Sequence, residues 1–220
     1  MASSTQLKIC GLRNPQQAAA VARLGVEAIG VIGVPSSPRH VPPELRPALF
    51  EAIAAVAPPC AGVLVVADPG DDDLPALRPE RGHRVVQLHG GETPERCREL
   101  RQRLGCTVWK ALRIRSPDDL SRAQLYGDHV DALVLDAWVP DQLGGTGHRI
   151  PLEWLEGWIP PRPWWLAGGM APERVAEVLE RVSPTGLDAS SGVERAPGDK
   201  DLARVAALVE AVRAAARVQG

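Results

Sequence analysis

The sequence has no apolar segment long enough to cross a bilayer as a helix, which takes roughly 20 consecutive apolar residues. Its first residues, Met1-Ala-Ser-Ser-Thr-Gln6, lack the basic and apolar regions of a secretory leader. Both absences argue against a membrane or exported protein. We therefore expect a cytoplasmic protein with no membrane partner.

The chain also lacks an excess of either charge and a dense set of cysteines. Its 25 basic and 27 acidic side chains are scattered and give a formal net charge of -2, so no basic stripe predicts binding to nucleic acid. The four cysteines have neither the density of a disulfide scaffold nor the paired spacing of metal ligands. We expect reduced thiols, no metal site and a small molecule as the substrate.

What the sequence does contain is one repeated pattern. Short runs rich in Val, Ile and Leu recur, and nearly all are followed by Gly, Pro or Asp and then by a segment with helical spacing. The predicted strands are residues 7–11, 27–33, 61–66, 84–88, 107–112, 131–135, 163–166 and 185–189. The predicted helices are residues 15–24, 43–56, 72–78, 93–104, 117–124, 151–157, 172–181 and 200–217.

This alternation predicts an α/β protein with a parallel sheet. Runs such as Gly62–Val66 and Asp131–Asp136 are continuously apolar between their ends, which is typical of strands buried on both faces. Eight βα units in 220 residues, without a linker or low-complexity segment, favour a closed (β/α)8 TIM barrel over an open doubly wound sheet. We expect a single domain over residues 1–220.

In such a barrel, the residues that end different strands share one mouth, where catalytic groups lie. Cys10 ends the first predicted strand, and Asp136 follows the sixth directly. A lone cysteine is more often a small buried apolar residue than a nucleophile or base, and an acid after a strand can cap the next helix. The next predicted helix does not begin until residue 151, which favours a catalytic carboxylate at Asp136.

Three loops near the same mouth are rich in small residues. Segment 138–147 is typical of a flap over a ligand or of a plain connection. Leu166–Met170 and Leu187–Val193 end the seventh and eighth strands, where this fold recurrently binds phosphate on backbone N–H groups beside a short extra helix. Gly-Gly and Ser-Ser-Gly also form ordinary turns. The residues that fit a phosphate site are Gly168, Gly169, Ser191 and Gly192.

Six sets of short segments resemble, in order and spacing, the phosphoribosylanthranilate isomerase family. They are Lys8–Gly11, Ser37–Arg39, Val86–Gly90, Leu135–Asp136 with Gly144–Gly147, Ala167–Gly169 with Pro172–Glu173, and Asp188–Glu194. The resemblance covers nearly the whole chain. It implies an Amadori rearrangement in tryptophan biosynthesis, which turns N-(5-phosphoribosyl)anthranilate into 1-(2-carboxyphenylamino)-1-deoxy-D-ribulose 5-phosphate without a metal or organic cofactor.

By this resemblance, Cys10 is the general base and Asp136 the general acid. Opening the sugar ring needs a proton on the ring oxygen, and isomerising the resulting imine needs removal of a proton from C2. Arg39 resembles the residue that meets the anthranilate. The phosphate-binding residues implied are Gly168, Gly169, Ser190, Ser191 and Gly192. The other substrate-binding residues implied are Gln87, His89, Gly145 and Asp188, of which His89 and Asp188 can also serve only to order their loops.

The sequence departs from the family at the mouth. The family usually carries Phe-Val-Phe-Tyr-Pro-Lys after its second strand, whereas this chain reads Val31-Ile-Gly-Val-Pro-Ser36. The third strand has Leu64-Val-Val66 in place of Phe-Val-Asn, and His148 stands where Lys is common. Trp138 is a candidate for a replacement stacking face. These changes bear on affinity and ring specificity more than on the type of reaction.

Two alternatives stay open at this point. A related phosphosugar isomerase or epimerase needs the same phosphate site, but its metal-dependent kind needs several ligands, and His89 alone of the five His ends a predicted strand. The other alternative is a barrel that binds a phosphorylated ligand without catalysis, which the presence of Cys10 and Asp136 argues against. The sequence leaves both a monomer and a homodimer open.

Overall fold

The computed structural model describes residues 5–137 and 149–219, and these form a closed parallel barrel. Its strands are β1 (Gln6–Cys10), β2 (Ala28–Ile32), β3 (Ala61–Val66), β4 (Val85–Leu88), β5 (Thr107–Ile114), β6 (Ala132–Ala137), β7 (Trp164–Leu166) and β8 (Gly186–Ala189). Each strand pairs with the next in sequence, and β8 pairs with β1. The predicted (β/α)8 class is confirmed, whereas a single domain over residues 1–220 stays a prediction.

The α-helices of the described residues lie outside the barrel. They are α1 (Pro15–Arg23), α2 (Arg46–Val56), α3 (Pro94–Leu104), α4 (Pro117–Ala123), α5 (Val175–Arg181) and α6 (Leu202–Gln219). Proline occupies the first turn of α1, α3 and α4, where backbone N–H groups have no acceptor within the helix, so the N–H that proline lacks costs no hydrogen bond. In the part of the chain that the structure describes, no helix is both long and apolar enough to cross a membrane.

Two of the predicted helices are wrong. The sequence predicts one helix over residues 72–78, but the structure has two short 3-10 helices, Asp71–Ala76 and Pro79–Arg81. Pro75 explains this, because a proline inside an α-helix removes a hydrogen bond and clashes with the preceding turn. Residues 151–157 form only the 3-10 turn Leu152–Trp154.

The end of the barrel carries an element that the sequence did not predict. After β8, a 3-10 turn at Ser191–Val193 leads into an antiparallel hairpin of β9 (Glu194–Ala196) and β10 (Asp199–Lys200). This hairpin brings two charged side chains back to the end of β1, as described below.

The core has an outer layer between strands and helices and an inner layer within the barrel. The inner layer includes small and branched side chains, and the rings of Trp109 and Trp165 lie 4.8 Å apart within it. Since side chains alternate along a strand, the last inward residue of each strand faces the mouth. Cys10 on β1 and Asp136 on β6 hold such positions, because both line the cavity at the mouth.

Candidate active site

A cavity that is partly open to solvent lies at the carboxyl ends of the strands. Residues expected at the site line it from several strand ends: Cys10, Arg39, Gln87, His89, Asp136, Gly168, Gly169, Asp188, Ser190 and Ser191. Gly192 follows them directly in the 3-10 turn after β8. Gly145, with Trp138 and His148, lies outside the described residues. The barrel thus brings together groups that are far apart in the sequence.

One wall of the cavity is aliphatic. Ile32, Val34 and Val65 line it at the ends of β2 and β3. These are the two strand ends at which the family usually has aromatic residues. The described part of the cavity therefore offers an apolar surface there but no aromatic ring for stacking.

Cys10 ends β1 inside the mouth and is 8% exposed. Burial raises the pKa of the Cys10 thiol, and the positive charges of Lys8 and Lys200 only partly oppose this effect. The neutral thiol is therefore the main form at pH 7. A thiolate that takes up a proton must come from the minor ionised population.

Asp136 faces the same cavity from β6 and is 5% exposed. Burial, together with the negative charge of Asp188, raises the pKa of Asp136 to about 7. A carboxyl group with such a pKa is partly protonated at neutral pH, as a general acid requires. His89 Nε2 lies 3.5 Å from Asp136 Oδ2. Burial and then the charge of Lys110 lower the pKa of His89 to about 3, so its imidazole is neutral there.

Three buried polar atoms of the cavity have no hydrogen-bond partner among the described residues. They are Gln87 Oε1, His89 Nε2 and Asp188 Oδ1. A buried polar atom without a partner costs about 1–3 kcal/mol, so a group of them around a cavity indicates a polar ligand. The Gln87 and Asp188 atoms are acceptors, which suits the hydroxyl groups of a sugar.

In the loop after β7, two backbone amides at the cavity have no hydrogen-bond partner among the described residues. Gly168 and Gly169 have φ of 88° and 62°, a left-handed conformation that only glycine adopts without strain. The Gly168 carbonyl accepts from Arg174 Nη1 at 2.6 Å, whereas the Gly168 and Gly169 N–H groups donate to no described residue. Ser190 has a different role, because its hydroxyl donates to the Cys10 carbonyl at 3.0 Å.

Arg39 belongs to a buried ionic network. Its Nε and Nη2 donate to Glu194 Oε1 and Oε2 at 2.9 and 2.6 Å, so a bidentate pair fixes the guanidinium. Lys200 Nζ also donates to Glu194 Oε1, at 2.6 Å, and to the Cys10 carbonyl. The β9–β10 hairpin thereby ties Arg39 to the end of β1.

Three charged residues next to the site, Lys8, Glu194 and Lys200, have buried side chains and no predicted role. A charged residue in the apolar run Leu7–Ile9 is a signal that could have identified Lys8. Glu194 ends the segment Asp188–Glu194 that resembles the family, whereas no local signal identifies Lys200, because a short irregular hairpin creates its contacts.

The sequence matches the N-(5'phosphoribosyl)anthranilate (PRA) isomerase family over residues 7–211. The chain belongs to the phosphoribosylanthranilate isomerase family. The resemblance stated from the motifs is thereby confirmed, and the protein is an isomerase.

Individual family members agree with this assignment. N-(5'-phosphoribosyl)anthranilate isomerase of Synechococcus elongatus is 46% identical over 204 residues, which cover 92% of this chain and 94% of the relative. The phosphoribosyl anthranilate isomerase of Thermotoga maritima has a TM-score of 0.85 at 27% identity, covering 96% of this chain and 99% of that one. The Thermotoga maritima protein is described as dimeric, with monomers generated from it.

Another solved family member contains a bound molecule. That phosphoribosyl anthranilate isomerase is in complex with reduced 1-(o-carboxyphenylamino)-1-deoxyribulose 5-phosphate. It has a TM-score of 0.77 at 26% identity, and the match covers 96% of this chain and 99% of that one.

Proposed function

We propose that this protein is an N-(5'-phosphoribosyl)anthranilate isomerase of tryptophan biosynthesis, with Asp136 as the general acid and Cys10 as the general base. The observation that carries the proposal is one cavity that combines a thiol, a carboxyl group with a pKa of about 7, and unpaired backbone amides. Family membership and the relative bound to a reduced form of the product support it.

The reaction requires one proton to be delivered and one to be removed. Asp136 protonates the ring oxygen as the bond from that oxygen to C1 breaks, and the nitrogen lone pair forms a C1=N iminium. The Cys10 thiolate then takes the proton from C2, and the electron pair of the C–H bond forms an enamine between C1 and C2. Tautomerisation of this enaminol places a proton on C1 and a ketone at C2.

The remaining groups fit the parts of the substrate. Gln87 Oε1 and Asp188 Oδ1 accept from sugar hydroxyls, which supplies the partners that these atoms lack. The amides after β7 and β8 hold the phosphate. Arg39 meets the anthranilate carboxylate through Nη1, because its other nitrogens are bound to Glu194. No metal or organic cofactor has a part in these steps.

The test of the proposed activity is the loss of anthranilate fluorescence when substrate made in situ is converted. We expect the purified protein to quench this emission with multiple turnovers. A phosphosugar epimerase or a non-catalytic binding protein would leave the emission unchanged. For the described residues, no cluster of three or more His, Cys, Asp and Glu could hold a metal ion, so nothing there favours the metal-dependent epimerase.

The phosphate loop gives a testable prediction through Gly192. A Cβ added at this glycine would come within 2.1 Å of the Met170 carbonyl oxygen, so Gly192→Ala must shift the two loops apart. We expect a KM at least about tenfold higher and an equally weakened competitive inhibition by inorganic phosphate, because both depend on the same amides. Gly70→Ala is the control, since a Cβ there meets only Asp73 at an ordinary 3.7 Å. An unchanged KM and phosphate inhibition in Gly192→Ala would place the phosphate elsewhere.

Arg39 gives a second prediction. Arg39→Ala removes a charge-assisted contact to the substrate carboxylate, and we expect kcat/KM to fall by about 10- to 100-fold, mainly through KM. Arg13→Ala is the matched control, because Arg13 is exposed and donates a long hydrogen bond of 3.4 Å to the Pro38 carbonyl. A kcat/KM equal to that of the control would mean that Arg39 serves only the ionic network with Glu194.

A further inference from the structure

Lys8 is a charged residue in the middle of the apolar strand β1, and the reaction described above does not use it. Its side chain is completely buried. Lys8 and Cys10 are two positions apart on one strand, so their side chains lie on the same face and their Cα atoms are about 7 Å apart. The interior of this fold is usually filled by branched apolar side chains, which makes a lysine there unusual.

One carboxylate neutralises the Lys8 ammonium. Lys8 Nζ donates to Asp188 Oδ2 at 2.6 Å, and the two residues are direct partners in the pairing of β1 with β8. Burial alone would lower the pKa of Lys8, but the negative charge of the paired Asp188 opposes burial, and the pKa is raised overall. The ammonium therefore stays charged at neutral pH. Lys8 lies on β1 and Asp188 on β8, and both strands belong to the closed sheet, which keeps the ammonium in place below the mouth.

We infer that Lys8 is a positioning residue for Cys10: its buried ammonium, held by Asp188 below the mouth, stabilises the thiolate that takes the proton from C2. The inference rests on the proposed role of Cys10 as the base. It assigns to the Lys8–Asp188 pair an electrostatic function in addition to its structural one.

Other charged or titratable groups also surround the thiol, and they do not replace Lys8. They are Arg39, His89, Asp136, Asp188, Glu194 and Lys200. Among the cations, Lys8 opposes the raised pKa of Cys10 more strongly than Lys200 does. Lys200 and Arg39 share one carboxylate, Glu194, so this network also keeps positive charge near the thiol, and a change at Lys8 leaves that network in place. Asp188 disfavours the thiolate, but by less than Lys8 favours it.

The test is Lys8→Gln, which keeps an amide donor near Asp188 but removes the charge. A matched control is Lys110→Gln, because Lys110 is equally buried and is paired to Glu92 at 2.7 Å, but lies on β5, across the barrel from β1. The thiol is titrated by its ultraviolet thiolate absorbance in the free protein. Subtraction of the same titration for a Cys10→Ser version of each protein isolates the signal of Cys10.

We expect Lys8→Gln to raise the pKa of the Cys10 thiol by about one unit or more, since an opposite charge a few ångströms away shifts a pKa by about 1–3 units. Turnover should then fall about tenfold for each unit, with KM nearly constant, because less thiolate is present. Lys110→Gln should lower the melting temperature about as much as Lys8→Gln does, but it should leave the titration of the Cys10 thiol unchanged. A purely structural role of Lys8 would instead give a folded Lys8→Gln protein with the wild-type thiol titration, and this result would overturn the inference.

If Lys8→Gln does not fold, the double variant Lys8→Met/Asp188→Asn removes the pair without leaving a buried charge. The thiol pKa should still rise, though by less, because Lys8 affects Cys10 more strongly than Asp188 does. A folded double variant with an unchanged thiol titration would contradict the inference equally. The titration needs no substrate, so its outcome is independent of the isomerase assay. Loss of the Lys8 effect would leave the role of Cys10 intact, whereas full turnover by Cys10→Ser would remove that role.

Discussion

Cys10→Ser is expected to lower kcat by on the order of 10² to 10⁴ while the barrel stays folded. Serine keeps the shape of the side chain at this 8%-exposed position, so the change adds no bulk and leaves no large cavity. A hydroxyl is a far weaker acid than a thiol, and its anion is scarcely available to take the proton from C2. The measurement is the initial rate of fluorescence loss, with a melting curve to show that the variant is folded.

The other three cysteines provide the controls. Cys106 is partly exposed and does not line the cavity, so Cys106→Ser should leave both turnover and melting temperature almost unchanged. Cys60 and Cys97 are buried in the outer core, so their serine variants should melt earlier but turn over at the wild-type rate. A folded Cys10→Ser protein with near wild-type turnover would show that the thiol is not the base.

The barrel could be predicted because its strands carry their own signal. The strands are buried on both faces, so runs such as Ala61–Val66 are continuously apolar. This pattern can be recognised in the sequence without knowing any tertiary contact. The helices depend on weaker local preferences. Asp71–Ala76 contains three aspartates, which favour helix N-termini and turns, and then Pro75, so the segment forms only 3-10 turns in place of the predicted α-helix.

The site was predictable only where a residue's position on its strand determines its environment. Cys10 and Asp136 could be singled out because the ends of strands meet at one mouth. The pairing of Lys8 with Asp188 joins residues 180 positions apart, and no local pattern encodes which carboxylate a buried lysine will meet. The pKa of Asp136 could not be anticipated either, because it follows from burial and from the distance to another carboxylate on β8.

Asp136→Asn is expected to lower kcat by on the order of 10² to 10⁴, as much as the change at Cys10. Asparagine keeps the size of the side chain and its hydrogen-bonding capacity but cannot donate a carboxylic proton to the ring oxygen. Asp128→Asn is the control, because the Asp128 side chain is 94% exposed. A kcat of Asp136→Asn within a few-fold of this control would rule out Asp136 as the acid.

The pH dependence should separate the two groups. Asp136 has a pKa of about 7, whereas burial places the pKa of Cys10 above its usual value, so the form with both a thiolate and a protonated Asp136 is always a minority. The population of that form rises tenfold per pH unit below about pH 7, because the thiolate fraction rises while Asp136 stays protonated. Above about pH 7 the population stays constant until Cys10 ionises, because the increase in thiolate is offset by the loss of protonated Asp136. We expect log kcat/KM to flatten near pH 7 in the wild type. The residual activity of Asp136→Asn should keep rising through pH 7, since only the thiolate then matters.

Asp136→Asn should also stabilise the fold at neutral and alkaline pH. The folded-state pKa of Asp136, about 7, lies above the value of 3.8 expected for an unperturbed carboxyl. The wild type therefore loses stability as pH rises from about 4 through about 7, where burial of the carboxylate becomes increasingly costly. Asparagine does not titrate, so the variant should become more stable than the wild type over this pH range. The difference in free energy of unfolding should reach up to about 4 kcal/mol above pH 7 and should be absent below pH 4. Urea unfolding at pH 4 and pH 8 measures the difference in free energy of unfolding between the variant and the wild type. If this difference does not increase from pH 4 to pH 8, Asp136 ionises at little cost in the folded protein and does not carry the proton for the ring oxygen at neutral pH.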